Sequence, residues 1–184
     1  MTVGRILSMA GEQVEFITTT EESGGARLVA DVTMQPGAKG PMPHVHPIQR
    51  ETFEILEGTA RFRFGREKKD VAAGQTVVAE PGLPHGFGNP FGEPVKVRTT
   101  WTPASDLEHF FENLFGYASI GKTNSEGIPP LRQIALIIEA HPESGHPAMP
   151  KIIYKPIFKT LAMFGRWSGM SGSYPELCPH QPRR

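Results

Sequence analysis

The chain has 184 residues, enough for one substantial domain with an appendage, and its 19 basic residues balance 19 acidic ones. A net charge of zero and the lack of any run of about 18 apolar residues argue against nucleic acid and membranes as partners. The single cysteine, Cys178, excludes an internal disulfide and is typical of a reducing compartment, so we expect a cytoplasmic protein.

Alternating apolar residues predict antiparallel strands from about Gln13 to Trp101. Arg61 and Arg63 interleave with Phe62 and its neighbours, so one face of that strand is solvated and the other buried. Glycine and proline turns separate the strands, one of them predicted from Gly65 to Lys69. The same-face sets are Val14/Phe16, Leu28/Ala30/Val32/Met34, Phe53/Ile55, Ala60/Phe62/Phe64 and Val95/Val97/Thr99/Trp101. This pattern predicts a closed barrel or sandwich over residues 1–103.

After Pro103 the apolar period becomes helical. Ser105 and Glu108 match a capping box ahead of a first helix, and a second is predicted from Pro130 to the His141-Pro142 pair. A third apolar stretch, 152–164, contains Pro156 and is expected to kink or split there. Residues 104–184 are thus predicted to be a helical extension with an irregular tail, acting as a lid or as the contact of a homodimer.

Four basic residues accompany the third apolar stretch: Lys151, Lys155, Lys159 and Arg166. We interpret them as the solvated side of a helix whose apolar face packs on the barrel or on a second subunit. The alternative is a helix lying on a membrane surface, with Trp167 as an anchor.

Residues 116–123 formally match the phosphate-binding loop pattern, G-x4-G-K-[ST]. Such a loop needs a strand before it and a helix after it, so that backbone N–H groups point at the phosphates. Here a helical pattern precedes it and Pro129-Pro130 follow, so we interpret the match as chance.

Three histidines and a glutamate carry the strongest functional signal. His44 and His46 are two apart, so in a strand they point to the same face. Glu51 is in phase with Phe53 and Ile55, where an isolated buried carboxylate would be costly unless paired or coordinated. His85 follows a proline- and glycine-rich turn. Brought together, three imidazoles and one carboxylate make a site for a divalent transition metal with open coordination positions.

These segments resemble the two motifs of the cupin superfamily. HVHPIQRETFEILEG, from His44 to Gly58, is similar to the first motif, and GQTVVAEPGLPHGFGN, from Gly74 to Asn89, is similar to the second. Glu80 stands where the family usually has proline. The resemblance implies a mainly β jelly-roll barrel of two antiparallel sheets with a C-terminal helical extension.

The resemblance also implies a function for individual residues. His44, His46, Glu51 and His85 would bind Fe2+, Mn2+, Ni2+, Co2+ or Zn2+, and Asn89 would support a turn. Residues 104–165 resemble the helical tail of some single-barrel cupins.

We expect the metal site to act on a small organic molecule. The first hypothesis is a dioxygenase-type oxidoreductase with Glu51 as ligand and catalytic proton carrier. The alternatives are a redox-neutral isomerase, cyclase or lyase, and a metal-stabilised binding protein without catalysis. Five apolar residues are candidates to line the substrate pocket, although core packing explains each equally well: Met42, Phe53, Phe62, Phe87 and Trp101.

Overall fold

The computed structural model describes residues 4–124 and 126–174. The strands and helices in these ranges follow in chain order: β1 Ile6–Met9, β2 Glu12–Thr18, β3 Leu28–Met34, β4 His44–Val45, β5 Arg50–Glu57, β6 Thr59–Phe64, β7 Glu67–Ala72, β8 Thr76–Ala79, β9 His85–Gly88, β10 Val95–Thr102, α1 Leu107–Ser119, α2 Leu131–Ala140, β11 His146–Pro147 and α3 Lys151–Trp167. Strands dominate up to residue 102 and helices follow, as the alternation of apolar residues predicted.

The strands form two antiparallel sheets that face each other. One sheet has the order β1-β2-β3-β10-β5-β8, and the other has the order β11-β4-β9-β6-β7. Phe53 of the first sheet packs against Phe62 and Phe87 of the second, with ring centroids 4.9 and 5.3 Å apart. The predicted inward sets are buried; in β10, for example, burial alternates along the whole strand. This confirms the mainly β jelly-roll fold with two antiparallel sheets.

Two strand predictions need correction. β1 was not predicted. It lies at a sheet edge, and two of its four residues, Ile6 and Ser8, are exposed. β7 begins at Glu67, so the turn predicted from Gly65 to Lys69 is too long. Its first four residues are exposed and charged, and only Val71 reaches the core, so the strand lacks the alternation that marks a half-buried strand.

Asn89 holds the turn that follows β9. Its side-chain amide donates hydrogen bonds to the carbonyl oxygens of Met34 and Glu93, at 3.1 and 2.8 Å, and its oxygen accepts from the Phe91 amide. The side chain thus ties the turn to the end of β3.

The three helices lie close to their predicted positions, but the capping box predicted for the first helix and a split of the third do not form. No capping box forms: Asp106 is the N-cap residue of α1, Ser105 donates to Glu143, and the Glu108 carboxylate accepts from the Thr20 amide. α3 runs through Pro156 as one helix instead of splitting. Residues 116–119 belong to α1, so the phosphate-loop match lacks its preceding strand.

The extension packs directly on the barrel. Leu107 and Phe115 of α1 are buried in the barrel core. β11, which lies between α2 and α3, pairs with β4, placing His146 opposite Val45 and Pro147 opposite His44. The C-terminal part of the chain therefore supplies a strand to the second sheet.

The apolar face of α3 opposite α2 is not packed on the barrel. Tyr154, Ala162 and Gly165 are buried, whereas Ile152 and Trp167 are 85 and 76% exposed. The four basic residues are exposed as well. This face was expected to pack on the barrel or on a second subunit, and in the structure it does not pack on the barrel.

Residues 168–174 form neither helix nor strand, and the rest of the tail, with Cys178, lies outside the described residues. Within the described ranges, no helix combines the length and the apolar character needed to cross a membrane.

Candidate metal centre

The two sheets bring the three predicted histidines and Glu51 to one point. His44 in β4 lies directly opposite His85 in β9, and His46 follows β4 by one residue. Glu51 reaches the same point from β5 in the facing sheet. His46, Glu51 and His85 are buried and His44 is half-buried. We call these residues the four-residue cluster.

The donor atoms of the cluster converge. One donor atom from each residue lies within 4.8 Å of the other three. The Glu51 Oε2 is 2.7 Å from the His85 Nε2 and 3.2 Å from the His46 Nε2, and the His44 Nε2 is 3.1 Å from that of His46. All three imidazoles therefore present the same ring nitrogen to one centre.

Backbone carbonyls orient two of the rings. The His44 Nδ1 lies 3.0 Å from the Met42 carbonyl oxygen, and the His85 Nδ1 lies 2.8 Å from that of Leu83. A proton held on Nδ1 by such a bond leaves the Nε2 lone pair free for a metal. The His46 Nδ1 is buried and has no hydrogen-bond partner among the described residues.

The surroundings of the cluster favour an ionised Glu51 carboxylate and a neutral His44 ring. Burial lowers the pKa of His44 to about 3, with the neighbouring His46 and His85 acting in the same direction. Burial opposes ionisation of Glu51, but hydrogen bonds from His46 and His85 hold its pKa well below the usual range. Burial also opposes charge on His85, yet Glu51 raises the pKa of His85 above its usual value.

A divalent transition metal fits this donor set. Donors bound at about 2.1 Å and at right angles around one ion are about 3 Å apart, which matches the three separations given above. Without a cation, Glu51 is a buried carboxylate whose hydrogen-bonding partners among the described residues are histidines. Three imidazoles and one carboxylate suit iron, manganese, nickel, cobalt and zinc.

The cluster opens into a cavity of about 440 Å³. Of the predicted pocket residues, Met42, Phe87 and Trp101 line it. Phe53 and Phe62 do not line it: both are fully buried between the sheets, and the Phe53 ring lies 6.1 Å from that of His85. The Phe53 ring packs edge-on against the His85 ring, and Phe62 packs against Phe53.

The helical extension, for which a lid was one of the two expected roles, forms one wall of this cavity. Apolar side chains of α1 and α2 line it, namely Leu107, Phe110, Phe111, Leu114, Ile134 and Ile138. The helical spacing of these residues predicted amphipathic helices, but no pattern showed that their apolar faces meet the metal-type site. Glu12, at the start of β2, also lines the cavity and was missed.

Comparisons with known proteins find similarity over part of the chain. A family model for the cupin domain matches residues 30–102, a segment that contains the whole cluster. The chain is similar to a sugar phosphate isomerase from a cupin superfamily of Silicibacter pomeroyi DSS-3, with 22% identity over 53% of this chain and 62% of that chain and a TM-score of 0.47. It is similar to an RmlC-like cupin from Shewanella frigidimarina NCIMB 400, with 19% identity over 55% of this chain and 85% of that chain and a TM-score of 0.49. It is also similar to KdgF from Halomonas sp., with 21% identity over 52% of this chain and 83% of that chain and a TM-score of 0.47. No curated protein matches the chain significantly.

Proposed function

This chain is a cupin-domain protein, and we propose that it is a metal-dependent enzyme, of the dioxygenase type, acting on a small and largely apolar organic molecule. The observation that carries the proposal is the convergence of three Nε2 atoms and the Glu51 Oε2 at the floor of an apolar cavity. The cavity volume is within the range of small-molecule sites.

A divalent transition metal bound by the four-residue cluster would supply Lewis acidity and open coordination positions for a substrate oxygen and O2. The protein's part is to fix the donors: the Met42 and Leu83 carbonyls orient His44 and His85. The apolar walls from α1 and α2 exclude water from a reactive substrate.

The other titratable groups of the cavity favour oxidation over acid–base chemistry. Among the described lining residues outside the cluster, Lys39 and Glu126 pair with each other at 3.0 Å and are exposed. His146 stacks on Tyr154, with ring centroids 5.0 Å apart. Neither feature places a second proton-transfer group beside Glu51, and Glu12, which also lines the cavity, lies six strand positions from the level of Glu51. We therefore favour a reaction in which a bound metal would do most of the chemistry.

A redox-neutral isomerase, cyclase or lyase is the second candidate, and Glu51 is the observation that favours it. Its hydrogen bonds within the described structure are made through Oε2. Since Glu51 lines the cavity, Oε1 is free to take a proton from a substrate and return it elsewhere.

Elemental analysis of protein purified without oxygen is the first test. We expect about one equivalent of a divalent transition metal per chain, and a metal-free protein that takes up none of the five candidate ions would contradict the proposal.

Turnover assays then separate the reaction classes. Oxygen consumption on addition of enol, catechol or diketone compounds supports dioxygenation. Conversion that continues anaerobically, or with zinc as the only metal, supports the redox-neutral candidate instead. Ligand binding that survives chelation, without turnover in any metal form, would point to a binding protein.

A further inference from the structure

Glu12 is an inward-facing carboxylate at the cavity, away from the four-residue cluster. It is the first residue of β2 and has the same strand parity as Val14 and Phe16, which are buried in the core. Residues two apart in a strand share a face, so the Glu12 side chain is directed to the interior. Val14 and Glu12 both line the cavity.

The surroundings of Glu12 are apolar. Its cross-strand neighbours are Met9 in β1 and Met34 in β3. Within the described ranges, no hydrogen bond or ion pair reaches its carboxylate. Burial raises the pKa of Glu12 to about 7, the result expected for a carboxyl group that is desolvated and not compensated.

The strand register separates Glu12 from the cluster. Glu51 lies opposite Trp101, which lies opposite Leu28 of β3, whereas Glu12 lies opposite Met34 of the same strand. Leu28 and Met34 are six positions apart, roughly 20 Å of strand at 3.3 Å per residue. A cavity that reaches both carboxylates is therefore elongated.

Two other polar groups of the lining are paired, whereas the His46 Nδ1 and the Trp101 Nε1 lack a hydrogen-bond partner within the described ranges. Lys39 pairs with Glu126, and Ser144 donates to Asp106. Glu12 differs from them because its hydrogen-bonding capacity is unused. Glu12 is half-buried, and a desolvated polar group without a partner is costly. A ligand that supplies the partner would offset this cost.

We propose that Glu12 is a substrate-binding residue, and that the cavity takes an elongated, mainly apolar molecule with a metal-binding oxygen at one end and a hydroxyl or amine at the other. The hydroxyl or amine donates a hydrogen bond to the Glu12 carboxylate. The assignment of the oxygen end rests on the proposed function, whereas the donor end rests on Glu12 alone.

Binding of matched eight-carbon probes to the chelator-treated full-length protein tests the donor end. We expect 1-octylamine to bind roughly tenfold more tightly than octanoate at pH 8, by isothermal titration calorimetry, because Glu12 attracts a donor and repels an anion. Glu12→Gln should bring the two affinities to within about threefold of each other. Glu12→Met, which matches the neighbouring methionines, should do the same and serves if the glutamine variant folds poorly.

Glu15→Gln is the matched control, since Glu15 has the opposite parity on the same strand and should leave the preference unchanged. A wild-type protein without the preference, a preference that both Glu12 variants retain, or failure of all probes to bind would overturn the proposal. Because metal is absent throughout, failure of metal loading would overturn the proposed function and leave this result standing.

Discussion

His46 is the ring of the cluster with the least protein support. His44 and His85 are each oriented by a backbone carbonyl, whereas the buried Nδ1 of His46 has no hydrogen-bond partner in the described part of the chain and packs beside Gly145. Coordination of Nε2 is the interaction that would fix this ring, so His46 should matter more to metal retention than to the fold.

We expect His46→Ala to lower metal affinity by at least about a hundredfold, because a direct ligand is lost, while the barrel stays folded. Metal content by mass spectrometry and the circular dichroism spectrum measure the two effects. His109→Ala, a change at a half-buried histidine of α1, is the control and should load normally. Full metal occupancy in the His46 variant would show that His46 is not a ligand.

Glu12 should reduce stability at alkaline pH. Its pKa is raised to about 7 in the folded protein from an ordinary value of 4.5. Between these values the folded protein binds more protons than the unfolded chain, so the contribution of Glu12 to stability falls as pH rises through this range and stays low above it.

Glu12→Gln removes this loss, and we expect the variant to be more stable than wild type at pH 8 by up to about 3 kcal/mol, with little difference at pH 4.5. Urea unfolding at both pH values measures it. An equal difference between the two proteins at both pH values would mean that Glu12 is not desolvated.

The sequence predicted the cluster residues because two simple signals coincide there: the His-x-His parity and the phase of Glu51 with Phe53 and Ile55. Glu12 was missed for a physical reason. The alternation that marks β2 begins at Val14, and Glu12 sits next to a hairpin glycine, Gly11, where a glutamate is ordinarily exposed. The lining of the cavity shows that the inward-facing positions of β2 extend to Glu12.

At the scale of elements, β9 depends on its two glycines. The segment 38–43 runs directly across this strand: a Cβ on Gly88 would lie 2.7 Å from the Lys39 carbonyl oxygen, and one on Gly86 would lie 3.2 Å from that of Pro41. The segment then leads into β4 and His44. The close approach of backbone to backbone thus sets the spacing between two metal-type ligands.

Gly88→Ala should therefore lower the free energy of unfolding by about 1–3 kcal/mol, because the backbone of Lys39 has to move. We also expect weaker metal retention, since the displaced segment carries His44. Gly92→Ala is the matched control, as nothing lies within 4 Å of a Cβ placed there. Equal unfolding midpoints for the two variants would contradict this account of β9.

The errors at helix ends have a common cause. Ser105 and Glu108 have the spacing of a capping box, but both side chains bond to distant residues, Glu143 and Thr20. A local pattern cannot show when a tertiary partner competes for the same side chain. The apolar faces of the helices could be predicted, whereas their placement over the cavity could not, because it depends on how the chain returns to the barrel.

At the scale of the whole molecule, α3 leaves an apolar surface uncovered. Six large apolar side chains of α3 are exposed: Ile152, Ile153, Ile157, Met163, Phe164 and Trp167. Contiguous apolar surface on this scale is unusual for a monomer and favours association. The homodimer expected from the sequence remains a prediction, and this face is where we expect the second copy to bind.

Replacing Ile152 and Ile157 with glutamate should therefore shift the protein from dimer to monomer in light scattering after size-exclusion chromatography. Both side chains are exposed in the single chain, so we expect the unfolding midpoint of the monomer to change little. Lys159→Glu, on the basic flank of the same helix, should leave the mass unchanged. A wild-type protein that is monomeric at high concentration would refute the dimer.

The pairing of β4 with β11 sets the order in which the protein can mature. β4 has two residues, and its neighbour on one side comes from near the C-terminal end of the described chain, where the Ala148 amide also donates to the Pro43 carbonyl. On the ribosome, the strand that carries His44 lacks this support until residues 146–148 have emerged. We therefore expect a nascent chain stalled before residue 146 to retain no metal, and retention to begin only once residues 146–148 have emerged and paired with β4.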